Sequence, residues 1–353
     1  GGACAPAVSS QRIRIAEETG SLAVKVASRG YNPRKWLTEK SFENALRVLL
    51  AVGGSTNGII HLSAMAGRME INLNLKRLDE LGRDTPVLVD LKPSGNGYME
   101  DLDKAGGLIR ILSEIEDLLY LDALTASGET LGEIINRTQL SWPQSIVRRR
   151  NNPIFKSGGL AVLSGNLAPN GAVIKQSAAS TKLLVHKGKA VVFDGLADLA
   201  NRIDDEDLEV SSEDILVLKN IGPRGAPGMP EAGLIPIPKK LARRGVKDMV
   251  RISDGRMSGT ASGTIVLHVA PEAAIGGPLN YVQNGDEIYL NVSTRVLKLL
   301  ISDEEMQYRK ENIPIKISAP ARGYGKLFFD HVMQAPQGVD FDFLVGVDAE
   351  SET

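Results

Sequence analysis

The residues whose types could do chemistry are densest in "SDGRMSGTASG" (253–263), where Asp254, Arg256, Ser258 and Thr260 stand among glycines just ahead of an apolar run. Asp254 and Arg256 read as loop-ordering residues that pair or bind backbone. Ser258 and Thr260 are either cap and turn residues or hydroxyls offered to a ligand. Four further glycine-rich loops hold polar groups between apolar elements: "GGSTN" (53–57), "KPSGNGYMEDL" (92–102), "SGNLAPNGAVIK" (164–175) and "GPRGAPGMPE" (222–231). Glycine allows positive φ and a close approach of backbone to ligand, so such loops suit small anionic or polyol compounds. Taken singly, each reads more simply as a turn between strands; five of them together weigh against that reading.

Several other chemistries are not supported. "GPRGAPG" spaces its glycines by three, unlike a dinucleotide fingerprint, and no Lys-Ser/Thr pair makes a phosphate loop. No G-x-S-x-G elbow appears. His61, His186, His268 and His331 are scattered without metal-ligand spacing. Glu100 and Asp101 are adjacent and so point apart on a helix. A net charge of −2 gives no electrostatic reason to expect nucleic acid or an anionic membrane as partner. The longest apolar runs, such as "LRVLLAV" (46–52), are too short to span a bilayer. A lone Cys4 excludes an internal disulfide and fits a reducing, cytoplasmic setting.

The elements that must carry these loops fall into two domains, expected at 1–150 and 151–353 around the charged, Asn- and Pro-bearing "RRRNNP". The first reads as α/β and mostly helical. Thr38 caps a helix carrying Phe42, Ala45, Leu46, Leu49 and Leu50, and "GIIHLSAMAGR" follows capped by Ser55, Thr56 or Asn57, while "PVLVDL" (86–91) looks like a buried strand. The second holds short β-branched runs: "GLAVL", "GAVIK", "KAVVFDG", "DILVLKN", "DMVRIS", "TIVLHVA" and "EIYLNVSTRVLKLLI". In the last, Ile288, Leu290 and Val292 share one face, and Leu297, Leu299 and Ile301 follow a break. A β-barrel-like or sandwich domain with flanking helices is expected, giving an α/β chain overall.

In order and spacing, "GGSTN", "DLKPSG…MED", "GNLAPNGAVIK", "GPRGAPGMPE" and "SDGRMSGT" resemble the carboxy-terminal two-thirds of the iron–sulfur dihydroxy-acid and sugar-acid dehydratases. The tail "ARGYGKLFFDHVMQAPQGVDFDFLVG" is more similar to the aldonate branch than to the branched-chain amino-acid enzyme. The resemblance implies dehydration of a 2,3-dihydroxy acid to a 2-keto acid. It implies an iron–sulfur cluster, [2Fe–2S] rather than [4Fe–4S], and Mg²⁺. By matching position, Cys4 of "GGAC" is implied as a cluster ligand, Glu231 as a Mg²⁺ ligand and Ser258 as the base. Thr260 is implied near the substrate carboxylate, and Asn57, Ser94 and Asn170 stand as candidate contacts to substrate hydroxyls. From the residues alone Cys4 reads more simply as a small buried hydrophobe, with Glu231 open to a solvated loop acid and Ser258 to a cap or turn residue.

The remaining cysteines and Mg²⁺ ligands of the family pattern are not in this sequence, and the helix-length segment after "GGAC" is replaced at once by Ala5-Pro6. The sequence is therefore expected to be part of a longer protein. A sugar-acid substrate and a homodimer or homotetramer are the expected partners, with no nucleic acid and no membrane. The rival expectations are dihydroxy-acid dehydratase of branched-chain amino-acid synthesis and a non-catalytic paralogue that only binds.

Overall fold

A computed structural model describes residues 2–317 and 319–346. Eleven helices and eight strands follow one another among them. Helices α1 (Ser10–Ser28), α2 (Glu39–Ala51), α3 (Asn57–Gly67), α4 (Leu75–Asp84), α5 (Met99–Lys104), α6 (Gly107–Glu114) and α7 (Leu131–Arg137) precede all the strands. The chain divides into two compact units, 1–54 with 69–71 and 80–159, and 55–68 with 72–79 and 160–353.

The first unit is helical around one extended segment. Thr38 caps α2 in a reciprocal box with Ser41, as its sequence leads one to expect, and the helix ends just before Gly53. Leu88, Val89, Ala51, Leu102, Ile111 and Val147 form the core, which also takes in Cys4. "PVLVDL" does not become a strand. It makes only isolated bridges, Val87 with Phe155, Val89 with Val147 and Leu91 with Gly97, because single short segments rather than a paired strand lie beside it.

In the second unit the runs named from sequence become β1 (Ala161–Gly165), β2 (Ala168–Ile174), β3 (Val185–Asp194), β4 (Ile215–Lys219), β5 (Arg251–Ser253), β6 (Ile265–Leu267), β7 (Glu287–Asn291) and β8 (Val296–Leu299). They close a barrel in the order β1-β2-β6-β5-β4-β3-β7-β8. Alternation sends Ala172 and Ile174, Val192, Val217, Ile252, Ile288, Leu290, Leu297 and Leu299 into one interior cluster. The other faces of β3 and β4 bury Val191, Phe193, Leu216 and Leu218 against Leu199 and Ile203 around α8 (Gly195–Arg202) and Leu241 in α9 (Lys239–Arg243). Strands buried on both sides need continuous apolar runs, which "AVVF" and "ILVL" supply. Two helices, α10 (Asp303–Asn312) and α11 (Gly323–His331), complete the elements.

Neighbours β3, β4, β5 and β6 run parallel, so the chain must cross over outside the filled barrel between each pair. The β5–β6 crossover is residues 254–264 and contains no helix. Two of the glycine-rich loops, "GPRGAPGMPE" and "SDGRMSGTASG", are thus parts of successive crossovers. Helix α3 packs within this second unit. Ile60 on it is buried with Met229 and Ala335, and the half-buried Val339 packs against them. No helix among the described residues is long and apolar enough to cross a membrane.

Candidate active site

Within the second unit three segments of the expected site meet. The Asn57 side-chain amide, at the start of α3, donates to Glu231 Oε1. Arg256 donates from Nε to the Met229 carbonyl and from Nη2 to that of Gly228, at 3.4 Å, and its own carbonyl accepts the Gly233 N–H at 2.8 Å. Two residues past Arg256 is Ser258, and two past Met229 is Glu231, so one guanidinium ties the hydroxyl-bearing loop to the carboxylate-bearing one. Gly259 packs against Ser55: a Cβ there would stand 2.8 Å from Ser55 Cβ, so no side chain fits without displacement.

Ser258 is half-buried and Thr260 exposed, and their hydroxyls lie 3.1 Å apart. Asp254 does not pair with Arg256. It is wholly buried and accepts the N–H groups of Asn220 at 3.2 Å, Ile221 at 3.0 Å and Ala273 at 2.9 Å. Burial pushes its carboxyl up to about 7, against the pull of those N–H bonds and with the nearby Glu272 adding to the rise. Glu272, also buried, accepts the N–H groups of Arg224 and Gly225 at 2.9 Å. Two buried carboxylates therefore anchor the roots of both crossovers, which is how flexible glycine-rich sequence can hold a fixed shape.

Sequence reasoning passed over Lys175 in this unit and set His268 aside as one of four scattered histidines. Lys175, at the end of β2, is 3% exposed and donates from Nζ to the Gly259 carbonyl at 3.4 Å. Burial drags its pKa from 10.5 down to about 8. A lysine closing the apolar run "GAVI" was the available signal, because a charge there must either escape the core or be held in it. His268 is buried with positive φ, its Nε2 has no hydrogen-bond partner among the described residues, and burial lowers its pKa to about 3, which keeps it neutral. Asn170 is not joined to the group. It is exposed on β2, its N–H donates to the Ala270 carbonyl, and by strand alternation it faces away from the side that bears Lys175.

A cavity of about 550 Å³ adjoins the Arg256 side of this group, lined by His61, Met65, Arg68, Met229, Arg256 and Val339 among others. Arg68 there is paired with Asp340 at 2.7 Å. A larger cleft of about 780 Å³, between Lys189 and Asp214, holds none of the candidate residues.

Two candidates sit in the first unit. Ser94 is half-buried in a loop wound around Asp90, whose Oδ1 accepts the Asn96 N–H at 2.7 Å. Beyond it Glu100 pairs with Lys104, and Asp101 accepts the Tyr98 N–H, so both acids have local structural duties. Cys4 is 8% exposed among Ala51, Leu88 and Ile111, and burial, with Asp103, raises its thiol pKa. As the sole cysteine it cannot by itself bind a cluster, which takes several thiolates. Among the described residues no group of three or more His, Cys, Asp and Glu is arranged to hold a metal. The residues present do not fit a complete cluster. They do offer one hard-oxygen ligand for Mg²⁺, an ion usually held by one or two carboxylates together with water and substrate oxygens: Glu231, exposed and steadied by Asn57.

These features define an α/β chain with a closed mixed barrel whose crossovers gather a carboxylate, a hydroxyl pair and a buried ammonium. The chain belongs to the dihydroxy-acid/6-phosphogluconate dehydratase family: the model of that family's amino-terminal domain matches residues 1–134, and that of its carboxy-terminal domain matches 145–339. It is 47% identical to an L-arabinonate dehydratase of Rhizobium leguminosarum bv. trifolii, over 98% of this chain and 60% of that protein. Against a 6-deoxy-6-sulfo-D-gluconate dehydratase of Pseudomonas putida the identity is 43%, over 100% of this chain and 61% of that protein. Against a dihydroxy-acid dehydratase of Methanosarcina barkeri it is 41%, over 88% and 56% respectively. The chain thus spans about 60% of the length of the sugar-acid dehydratases it matches.

Proposed function

We propose that the protein containing this chain dehydrates a sugar acid, converting a 2,3-dihydroxy carboxylate such as a pentonate or hexonate to its 2-keto-3-deoxy acid. Ser258, ionised, takes the C2 proton. The C2–C3 double bond forms as the C3–O bond breaks, and the departing hydroxyl leaves with a proton as water. The resulting enol takes a proton at C3 and becomes the keto acid. An isolated serine does not ionise near neutral pH, so this role requires positive charge and hydrogen-bond donors close to the loop.

Glu231 would hold Mg²⁺, with Asn57 fixing one of its carboxylate oxygens. Bound there, the ion would polarise the substrate carboxylate and 2-hydroxyl and so make the C2 proton more acidic. Thr260, hydrogen-bonded to Ser258, would meet the substrate carboxylate. Cys4 would be one ligand of an iron–sulfur cluster whose other ligands lie outside these residues. The observation that carries the reading is the Arg256 tie between the Ser258 and Glu231 loops, supported by the higher identity to sugar-acid dehydratases than to the dihydroxy-acid dehydratase.

A keto-acid product assay of the full-length protein over a panel of aldonates and 2,3-dihydroxyisovalerate tests it. The expected result is a kcat/KM at least about 10-fold higher for one aldonate. Preference for dihydroxyisovalerate would overturn the substrate assignment. No product from any of them would leave a protein that only binds.

A further inference from the structure

Among the described residues Lys175 is a buried charge without a countercharge. Its ammonium has three N–H donors, and one long bond to the Gly259 carbonyl is its sole hydrogen bond among the described residues. The charged groups on neighbouring segments are already engaged. Asp248, which accepts the N–H groups of Ser180 and Thr264, is paired with Arg251, and Arg256 is bound to the Met229 and Gly228 carbonyls. Nothing but burial moves its pKa, which at about 8 leaves the group mostly charged near neutral pH. Burying an unpaired ammonium costs stability, so its retention calls for an anion that arrives only in the working protein. The carbonyl it holds belongs to the residue between Ser258 and Thr260.

We propose that Lys175 is a positioning residue for Ser258: its ammonium fixes the peptide between the two hydroxyls and supplies the positive charge that favours ionised Ser258. The inference rests on reading Ser258 as the base of dehydration. An opposite charge within about 4–6 Å raises the ionised fraction of an acid by about 10- to 1,000-fold, which sets the size of the expected effect.

The test compares wild type, Lys175→Met, Lys175→Arg and Ser258→Ala in the full-length protein, with kcat, KM and the pH profile of kcat/KM measured on the preferred aldonate. Lys175→Met keeps the apolar stem and removes the charge. It is expected to lower kcat by about 10-fold or more with KM within about threefold. Wild-type kcat/KM should fall on the alkaline side near pH 8 as Lys175 loses its proton. Lys175→Arg should keep much of kcat and lose that limb, because a guanidinium does not titrate there. Lys175→Met should also raise Tm at pH 7, whereas deleting a merely structural lysine would lower it and leave the profile unmoved.

An inactive Ser258→Ala beside a Lys175→Met variant with wild-type kcat and pH profile would overturn the role of Lys175 and keep Ser258. An active Ser258→Ala would overturn the reading beneath both. A lysine side-chain NMR titration serves where turnover is too slow. The midpoint of the resonance absent from Lys175→Met should shift in Ser258→Ala, and an unchanged midpoint would contradict the coupling of the two groups.

Discussion

At the scale of single residues, the candidate site combines groups that cost the fold stability with groups that anchor it. Lys175 has a folded pKa of about 8 against an ordinary 10.5, so the unfolded chain binds its proton more readily. The stability it withholds is recovered above pH 10.5 and is lost as pH falls through about 8. Its removal in Lys175→Met should therefore stabilise the protein at pH 7, by on the order of 2–3 kcal/mol, and gain nothing above pH 10.5. Asp254 has the opposite linkage. Its folded pKa of about 7 lies above the ordinary 3.8, so its contribution is fullest below pH 3.8 and declines as pH rises through about 7. Asp254→Asn places an amide against backbone N–H donors and should cost about 1–3 kcal/mol at pH 5, with a smaller deficit at pH 8. Urea unfolding at both pH values checks the size and the sign.

At the scale of elements, buried ion pairs fasten helices to the barrel. Arg309 on α10 donates to both carboxylate oxygens of Asp286 and to the Tyr281 carbonyl, the last at 3.0 Å, while Met306 packs on the barrel core. Arg309→Met would strand a nearly buried carboxylate and should cost about 3–5 kcal/mol in urea unfolding. The eight strands were legible because each falls in a short apolar, mostly β-branched run, a local signal, with β7 and β8 read as one run with a break between them. The closed order was not legible, since it depends on pairing between runs far apart in sequence. "PVLVDL" has the composition of a strand and lacks a strand partner, which composition cannot reveal. The crossover loops announced themselves by their glycines. The burial of Lys175 and the backbone anchoring of Asp254 did not, because both follow from what the crossovers cover. That α3 packs with Met229, Ala335 and Val339 was not legible for the same reason, since these partners are distant along the chain.

At the scale of the whole molecule, the proposed dehydration would draw on Cys4, Glu231 and the Ser258–Thr260 hydroxyl pair and would need further ligands besides them. The family resemblance was legible in five short loops, and both family domains are matched along the chain. What no local pattern encoded is that the Ser258 and Glu231 loops are parts of successive crossovers in one barrel, tied by Arg256. The most direct test of the central claim is exchange of the C2 hydrogen. Full-length protein carrying Ser258→Ala is given an aldonate deuterated at C2, and loss of the label is followed alongside keto-acid formation. Loss of both by about 100-fold or more, with substrate still bound, is the expected result for a general base. Deuterium loss at the wild-type rate would contradict the account.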